Sequence, residues 1–147
     1  MAKDVQEVFT PDRLWRCRIN AWKTSAFVFH EVGASVLVDK LVQGHWKKTL
    51  GSTIHLRVLL VGRDASRIFQ VSDATYTNAG YRDWRVPQFG LVITFGTNGI
   101  GVSLPVSGVT MPDSSEKVRA VRASGDVLVP GYQRLVLPEV CSGDFCW

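Results

Sequence analysis

Polar and apolar residues alternate along much of this chain, and the clearest alternation lies in residues 89–106. Two apolar runs flank the dipeptide Asn98-Gly99, which tolerates the positive φ angles of a type I′ turn. We therefore predict a β-hairpin in which a two-residue turn pairs Phe95 with Val102. One face of this hairpin is apolar. The opposite face carries small or polar residues: Thr94, Gly96, Gly101 and Ser103.

A second alternating segment, residues 14–19, predicts a half-buried strand. Trp15, Cys17 and Ile19 share one face, and two arginines lie on the other. Residues 54–61 predict another strand, with one continuous apolar face. Residues 34–48 are ambiguous, because their apolar spacing favours a helix while consecutive valine and leucine residues also suit a buried strand.

Turn signals recur every eight to twelve residues, and Pro130-Gly131 is typical of a type II turn. Eight to ten short strands with at most one short helix, around 34–48, predict an all-β fold. We expect a single antiparallel β-sandwich or a jelly-roll-like barrel.

The length of 147 residues suits one β domain over 1–147. Within it, residues 1–12 are expected to form an arm or an edge strand, and residues 138–147 a C-terminal tail. The apolar runs are too short to span a membrane. Residues 1–13 contain three acids where a secretory signal needs an apolar core, so we expect synthesis in the cytoplasm without a signal peptide.

The formal net charge of +4 comes from 17 basic and 13 acidic residues. A basic chain tolerates anionic partners, although no run of five basic residues indicates a dedicated nucleic-acid tail. Basic residues do occur beside aromatic ones, a combination that binds single-stranded nucleic acid on β-rich surfaces. The candidate nucleic-acid-binding residues are Arg16, Arg18, Lys47, Lys48, Arg82 and Arg85.

Motifs for catalysis or metal binding are missing from the sequence. The three histidines have no motif spacing for a metal, and no G-x-S-x-G elbow is present. Most acids lie in turn-like segments, and Glu31 and Asp39 are the least explained. We therefore expect no catalytic residues, no metal and no cofactor.

Three cysteines are an odd number, which argues against a disulfide framework. Under reducing conditions they are expected to be free thiols. The sequence does not decide whether Cys141 and Cys146 form a disulfide, which is possible if the protein ends up outside the cell.

The leading hypothesis is a non-enzymatic structural subunit that assembles with itself, most plausibly in a virus or phage virion as a coat, tail or decoration protein. Trp and Tyr are enriched where proteins meet partners, and a small-residue sheet face allows close approach. The candidate assembly residues are Tyr81, Trp84, Gly101, Ser103 and Trp147. One alternative is a small module that binds single-stranded nucleic acid. Another is an enzyme or ligand binder with its site in the barrel mouth.

Overall fold

The protein, described here by a computed structural model, is a β-sandwich of two antiparallel sheets. The structure describes residues 4–26, 29–63, 66–77, 83–85, 92–95, 99–106, 117–143 and 146. Those residues form eleven strands: β1 (Val5–Phe9), β2 (Trp15–Ala26), β3 (Phe29–Val42), β4 (His45–Lys48), β5 (Thr53–Val61), β6 (Ile68–Thr77), β7 (Asp83–Arg85), β8 (Val92–Phe95), β9 (Gly99–Val106), β10 (Ala120–Leu128) and β11 (Leu135–Gly143). The predicted all-β sandwich is confirmed, and the described residues contain no α-helix.

Within the described residues, the larger sheet has seven strands, six of which follow the order β1-β2-β3-β9-β8-β7. The strand β4 extends this sheet beside the last residues of β3, beyond the point where β9 stops pairing with it. The smaller sheet has the order β11-β10-β5-β6. The long β2–β3 hairpin therefore supplies the middle of the larger sheet, and β5 and β10 supply the middle of the smaller one.

Of the two alternatives for residues 34–48, the strand is confirmed and the helix is wrong, because these residues form the last nine residues of β3 and the whole of β4. Val36 and Val38 are fully buried while Ser35 and Leu37 are half-buried on the opposite side, which is the period of a strand. Gln43 and Gly44 join the two strands with φ angles of 52° and 80°. Two positive φ angles in a two-residue connection are typical of a type I′ turn.

The hairpin of β8 and β9 is present, but its predicted register is wrong by two residues. Phe95 pairs with Ile100 and Ile93 pairs with Val102, so Asn98-Gly99 is not a two-residue turn. Gly99 instead pairs with Leu37 of β3, and a Cβ at Gly99 would lie 2.1 Å from the Val36 carbonyl oxygen. Because only glycine permits that approach, Gly99 belongs to the strand. A shift of two residues keeps Ile100 and Val102 on the predicted apolar face, where both are buried.

The core lies between the inner faces of the two sheets. Cys17 and Ile19 are fully buried and Trp15 nearly so, as the alternation of residues 14–19 predicts. Burial raises the pKa of the Cys17 thiol to about 12. The largest fully buried side chains of the core are Ile19, Ile54, Leu56, Leu60, Ile100, Val32, Val36, Val38 and Val58.

One end of the sandwich is closed by a contact between two turns. The predicted turn at Pro130-Gly131 is confirmed, with φ of 87° at the glycine and a Tyr132 N–H that donates to the Val129 carbonyl over 3.0 Å. The Tyr132 hydroxyl donates to the Asp12 carboxylate over 2.5 Å, which lowers the pKa of Asp12. This hydrogen bond links the β1–β2 turn of the larger sheet to the β10–β11 turn of the smaller one.

Both terminal segments contribute strands. Residues 5–9 of the expected arm form the edge strand β1, which pairs with β2. Residues 138–143 of the expected tail belong to β11, and Cys141 and Cys146 form a disulfide with Cα atoms 5.6 Å apart. In the described part of the chain, no helix is long and apolar enough to cross a membrane.

Candidate assembly surface

The outer face of the larger sheet, which points away from the smaller sheet, gathers several of the predicted site residues. Arg18 of β2 pairs with Leu37 of β3, and Leu37 pairs with Gly99 of β9. Directly paired residues on neighbouring antiparallel strands share a face, and alternate residues along a strand return to it. Arg16, Arg18, Gly101 and Ser103 therefore lie on one face, although they belong to two different predicted sites.

Three described glycines of this outer face differ in how they are covered. A Cβ at Gly33 would lie 2.5 Å from the ring of Trp22, and one at Gly99 would lie 2.7 Å from a Leu37 methyl carbon. Both glycines are buried beneath these neighbours. Among the described residues, the atom nearest to a Cβ at Gly101 would be the Ser35 Cβ at 3.8 Å. Gly101 is therefore the open position among the three.

The open glycine lies in a cross-strand row of small or polar residues, which we call the central strip. It consists of Asn20, Ser35 and Gly101, paired in that order across β2, β3 and β9. The row on one side of the strip holds Arg18, Leu37 and Gly99. The row on the other side holds Trp22, Gly33 and Ser103. Since successive rows of one face are about 7 Å apart, the strip forms the floor of a trough between larger side chains.

An arginine–aromatic cluster, consisting of Phe9, Arg13, Arg16 and Trp46, occupies another part of the same face. The guanidinium carbon of Arg16 lies 4.6 Å from the Trp46 ring centroid, and that of Arg13 lies 4.3 Å from the Phe9 centroid. The two rings are tilted at 52° with centroids 5.9 Å apart. Cation–π contacts of this kind hold both guanidinium groups against the sheet. The sequence pattern did not single out Phe9 or Arg13, because their partners lie on other strands.

Asp39, one of the two unexplained acids, lies beside this cluster. It is 5% exposed, and its Oδ2 lies 3.0 Å from Arg16 Nη2 and 3.4 Å from Arg18 Nη2. The Nε atoms of both arginines are buried and have no hydrogen-bond partner among the described residues. The carboxylate therefore offsets two partly buried positive charges, which is a structural role for this acid.

The other predicted residues that the structure describes lie on β4 and β7 of the larger sheet. Lys48 pairs with Asp39 and is exposed on the outer face, whereas Lys47 pairs with Lys40 and alternation places it on the opposite face. In β7, the backbone of Trp84 pairs with Thr94, itself the partner of Gly101, and that of Arg85 pairs with Ile93. Three further predicted residues lie outside the described residues: Tyr81, Arg82 and Trp147.

A histidine bridge on the outer face of the smaller sheet was not predicted. His55 of β5 contacts the Asp73 carboxylate of β6 through Nε2, and its Nδ1 lies 3.1 Å from Asp126 Oδ2 of β10. The hydrogen bond to Asp73 raises the pKa of His55, and Asp126 adds to this effect. With a different carboxylate on each ring nitrogen, this arrangement tethers three strands. Cross-strand register is the signal that would have revealed it.

The described residues contain no group of three or more side chains arranged to hold a metal ion. Comparison of the sequence with protein-family models and with curated proteins finds no match. The outer face of the larger sheet, with its trough and its arginine–aromatic cluster, is the candidate functional surface.

Proposed function

We propose that this protein is a non-enzymatic structural subunit that assembles with itself through the outer face of its larger sheet. The observation that carries the proposal is the open Gly101 at the floor of the trough. Two neighbouring glycines of this face are covered by Trp22 and Leu37 of their own chain. If this position only faced water, a larger polar side chain in place of Gly101 would stabilise the strand. Exposure to water alone therefore does not explain a glycine there.

The trough suits a protein surface better than a small ligand. Ser35, Ser103 and Gly101 are half-buried and present small side chains, so another backbone can approach the sheet closely. The neighbouring Arg16 and Trp46 stack on each other and belong to residue types enriched in interfaces. We further propose that the assembly is a virion, in which repeated contacts of this kind would join copies into a shell or tail.

Gly101→Arg tests the role of the open floor. A Cβ at this position would clash with none of the described atoms, so the substitution should leave the fold intact while its side chain fills the trough. We expect wild-type protein at micromolar concentration to give an oligomer in size-exclusion chromatography with light scattering, and the variant to elute as a monomer. Equal thermal unfolding midpoints of the isolated subunits would verify that folding is unaffected.

Thr77→Arg is the matched control, because it adds the same charge at an exposed position on β6 of the smaller sheet. It should assemble like the wild type. Normal assembly of Gly101→Arg, or a wild-type protein that stays monomeric, would contradict the proposal.

The second candidate function is binding of single-stranded nucleic acid, which the arginine–aromatic cluster favours. Stacking bases would have to displace Arg13 from Phe9 and Arg16 from Trp46, since both guanidinium groups lie over these rings. Trp46→Ala should then weaken oligonucleotide binding by about 1–3 kcal/mol, as for loss of one stacked base. Unchanged oligonucleotide binding by this variant would reject the second candidate.

A further inference from the structure

The end of the sandwich opposite the Asp12–Tyr132 contact concentrates positive charge. Val61 of β5 pairs with Ile68 of β6 and with Ala120 of β10, and Ala120 pairs with Gly143 of β11. All four strands of the smaller sheet therefore begin or end in one row. Around this row lie six basic residues, which we call the cationic end: Lys23, Arg63, Arg67, Lys117, Arg119 and Arg122.

Backbone hydrogen bonds hold several of these residues at the row. The Arg119 N–H donates to the Val61 carbonyl over 2.7 Å, and the Gly62 N–H donates to the Arg67 carbonyl over 2.7 Å. Lys23 reaches the row from the larger sheet, since its Cδ lies 2.9 Å from the Cβ position of Gly143. The cationic end is thus built from both sheets.

The charge at this end is a large share of the total. The sequence segments that join or follow these strand ends, residues 62–67, 107–122 and 143–147, contain together with Lys23 six basic and four acidic residues, a formal net charge of +2 out of the chain's +4. Arg63, Lys117 and Arg119 are exposed. A concentration of one charge sign on one part of a surface attracts a polyanion over about a Debye length.

We propose that the cationic end binds the phosphate backbone of double-stranded nucleic acid without sequence preference. Four strand ends at a spacing of about 4.8 Å span about 14 Å. The phosphates of one B-DNA strand repeat every ~3.4 Å along the axis, so this end reaches about four of them. Phe69, a described aromatic residue next to this row, packs against the core and is not presented for base stacking. We therefore expect contact with phosphates rather than with bases.

The proposal is independent of self-assembly, and it uses none of the residues of the trough or of the arginine–aromatic cluster. It predicts binding whose logarithm falls linearly with the logarithm of salt concentration, with a slope of about −3.6 for four phosphate contacts. The experiment is fluorescence anisotropy of a short labelled DNA duplex of random sequence between about 50 and 200 mM salt.

The test variant is Arg63→Gln with Arg119→Gln, which removes two exposed charges and preserves side-chain polarity. We expect the slope to become less steep by about 1.8 and the affinity at about 100 mM salt to fall roughly 60-fold. The control is Lys40→Gln with Arg134→Gln, which removes two exposed charges at the opposite end of the sandwich. This control should bind within about twofold of the wild type, and all proteins should share one unfolding midpoint.

Three results would overturn the proposal. The first is the absence of duplex binding at about 50 mM salt. The second is an unchanged slope in the Arg63/Arg119 variant, and the third is a larger loss of affinity in the Lys40/Arg134 control. Binding to anionic lipid vesicles without binding to the duplex would assign the charge to a membrane surface and would equally reject nucleic acid.

Discussion

Neutralising Asp39 should destabilise the protein, because this carboxylate offsets two arginines in the middle of the larger sheet. Asp39→Asn keeps the size and shape of the side chain and removes its charge. Arg16 and Arg18 would then keep their positive charges beside a neutral amide, at the 3.0 and 3.4 Å distances now spanned by ion pairs. Their buried Nε atoms have no other described partner that would compensate.

The expected loss follows from the burial of the three groups. Breaking a fully buried ion pair costs about 3–5 kcal/mol, and an exposed pair contributes about 0–1 kcal/mol. The side chains of Asp39 and Arg16 are 8% and 18% exposed, near the buried limit, whereas that of Arg18 is 36% exposed. We therefore expect a loss of about 2 kcal/mol, which corresponds to a melting temperature lower by about 4–8 °C.

Urea unfolding at pH 7 measures this loss in Asp39→Asn. Glu139→Gln is the matched control, since it also neutralises one acid on a strand but at an exposed position; it should stay within about 0.5 kcal/mol of the wild type. Adding Arg16→Gln to Asp39→Asn should recover part of the loss, because one uncompensated cation is removed. A free energy of unfolding for Asp39→Asn equal to that of the control would refute the reasoning.

Three further predictions concern other parts of the sandwich. Gly44→Ala should cost about 1–2 kcal/mol in urea unfolding, because φ is 80° there and nothing crowds a Cβ, whereas Gly101→Ala should cost nothing; equal losses would contradict this. The raised pKa of His55 should stabilise wild type over His55→Gln by up to ~1 kcal/mol below pH 6.5. This advantage should disappear as pH rises through the folded-state pKa, and growth with pH would contradict it. A thiol reagent should modify only Cys17, and only after unfolding; rapid labelling of native protein would be inconsistent with its burial and with the disulfide.

Properties set by short-range alternation were predictable from the sequence. The buried face of Trp15, Cys17 and Ile19 follows from a period of two, and the turn at Pro130-Gly131 follows from the dihedral preferences of its two residues. Neither depends on the order of strands in a sheet. For the same reason the all-β sandwich was predictable, since it needs only many short strands and frequent turn signals.

The predicted turn at Asn98-Gly99 and the observed turn at Gln43-Gly44 show where local sequence preference fails. Asn98-Gly99 has the better sequence for a type I′ turn, yet Gly99 serves the close approach of β3 to β9. Two consecutive positive φ angles do occur at Gln43-Gly44, in a segment whose apolar spacing suggested a helix. In both cases contacts with a distant strand decide the outcome, and such contacts are not visible in a short window of sequence.

The candidate surface depends on strand order in the same way. That Arg16 and Gly101 share one face of a sheet follows from the neighbours β2, β3 and β9, the last of which is distant in sequence from the other two. The role of Asp39 and the histidine bridge at His55 likewise require cross-strand register. Residue types alone predicted candidates but not which of them lie together.

Negative-stain electron microscopy of the purified wild-type protein at micromolar concentration tests the central claim most directly. Self-assembly through the trough predicts particles or filaments of regular size, and predicts that Gly101→Arg abolishes them while Thr77→Arg does not. A field without regular particles, together with a monomer in light scattering at the same concentration, would contradict the account.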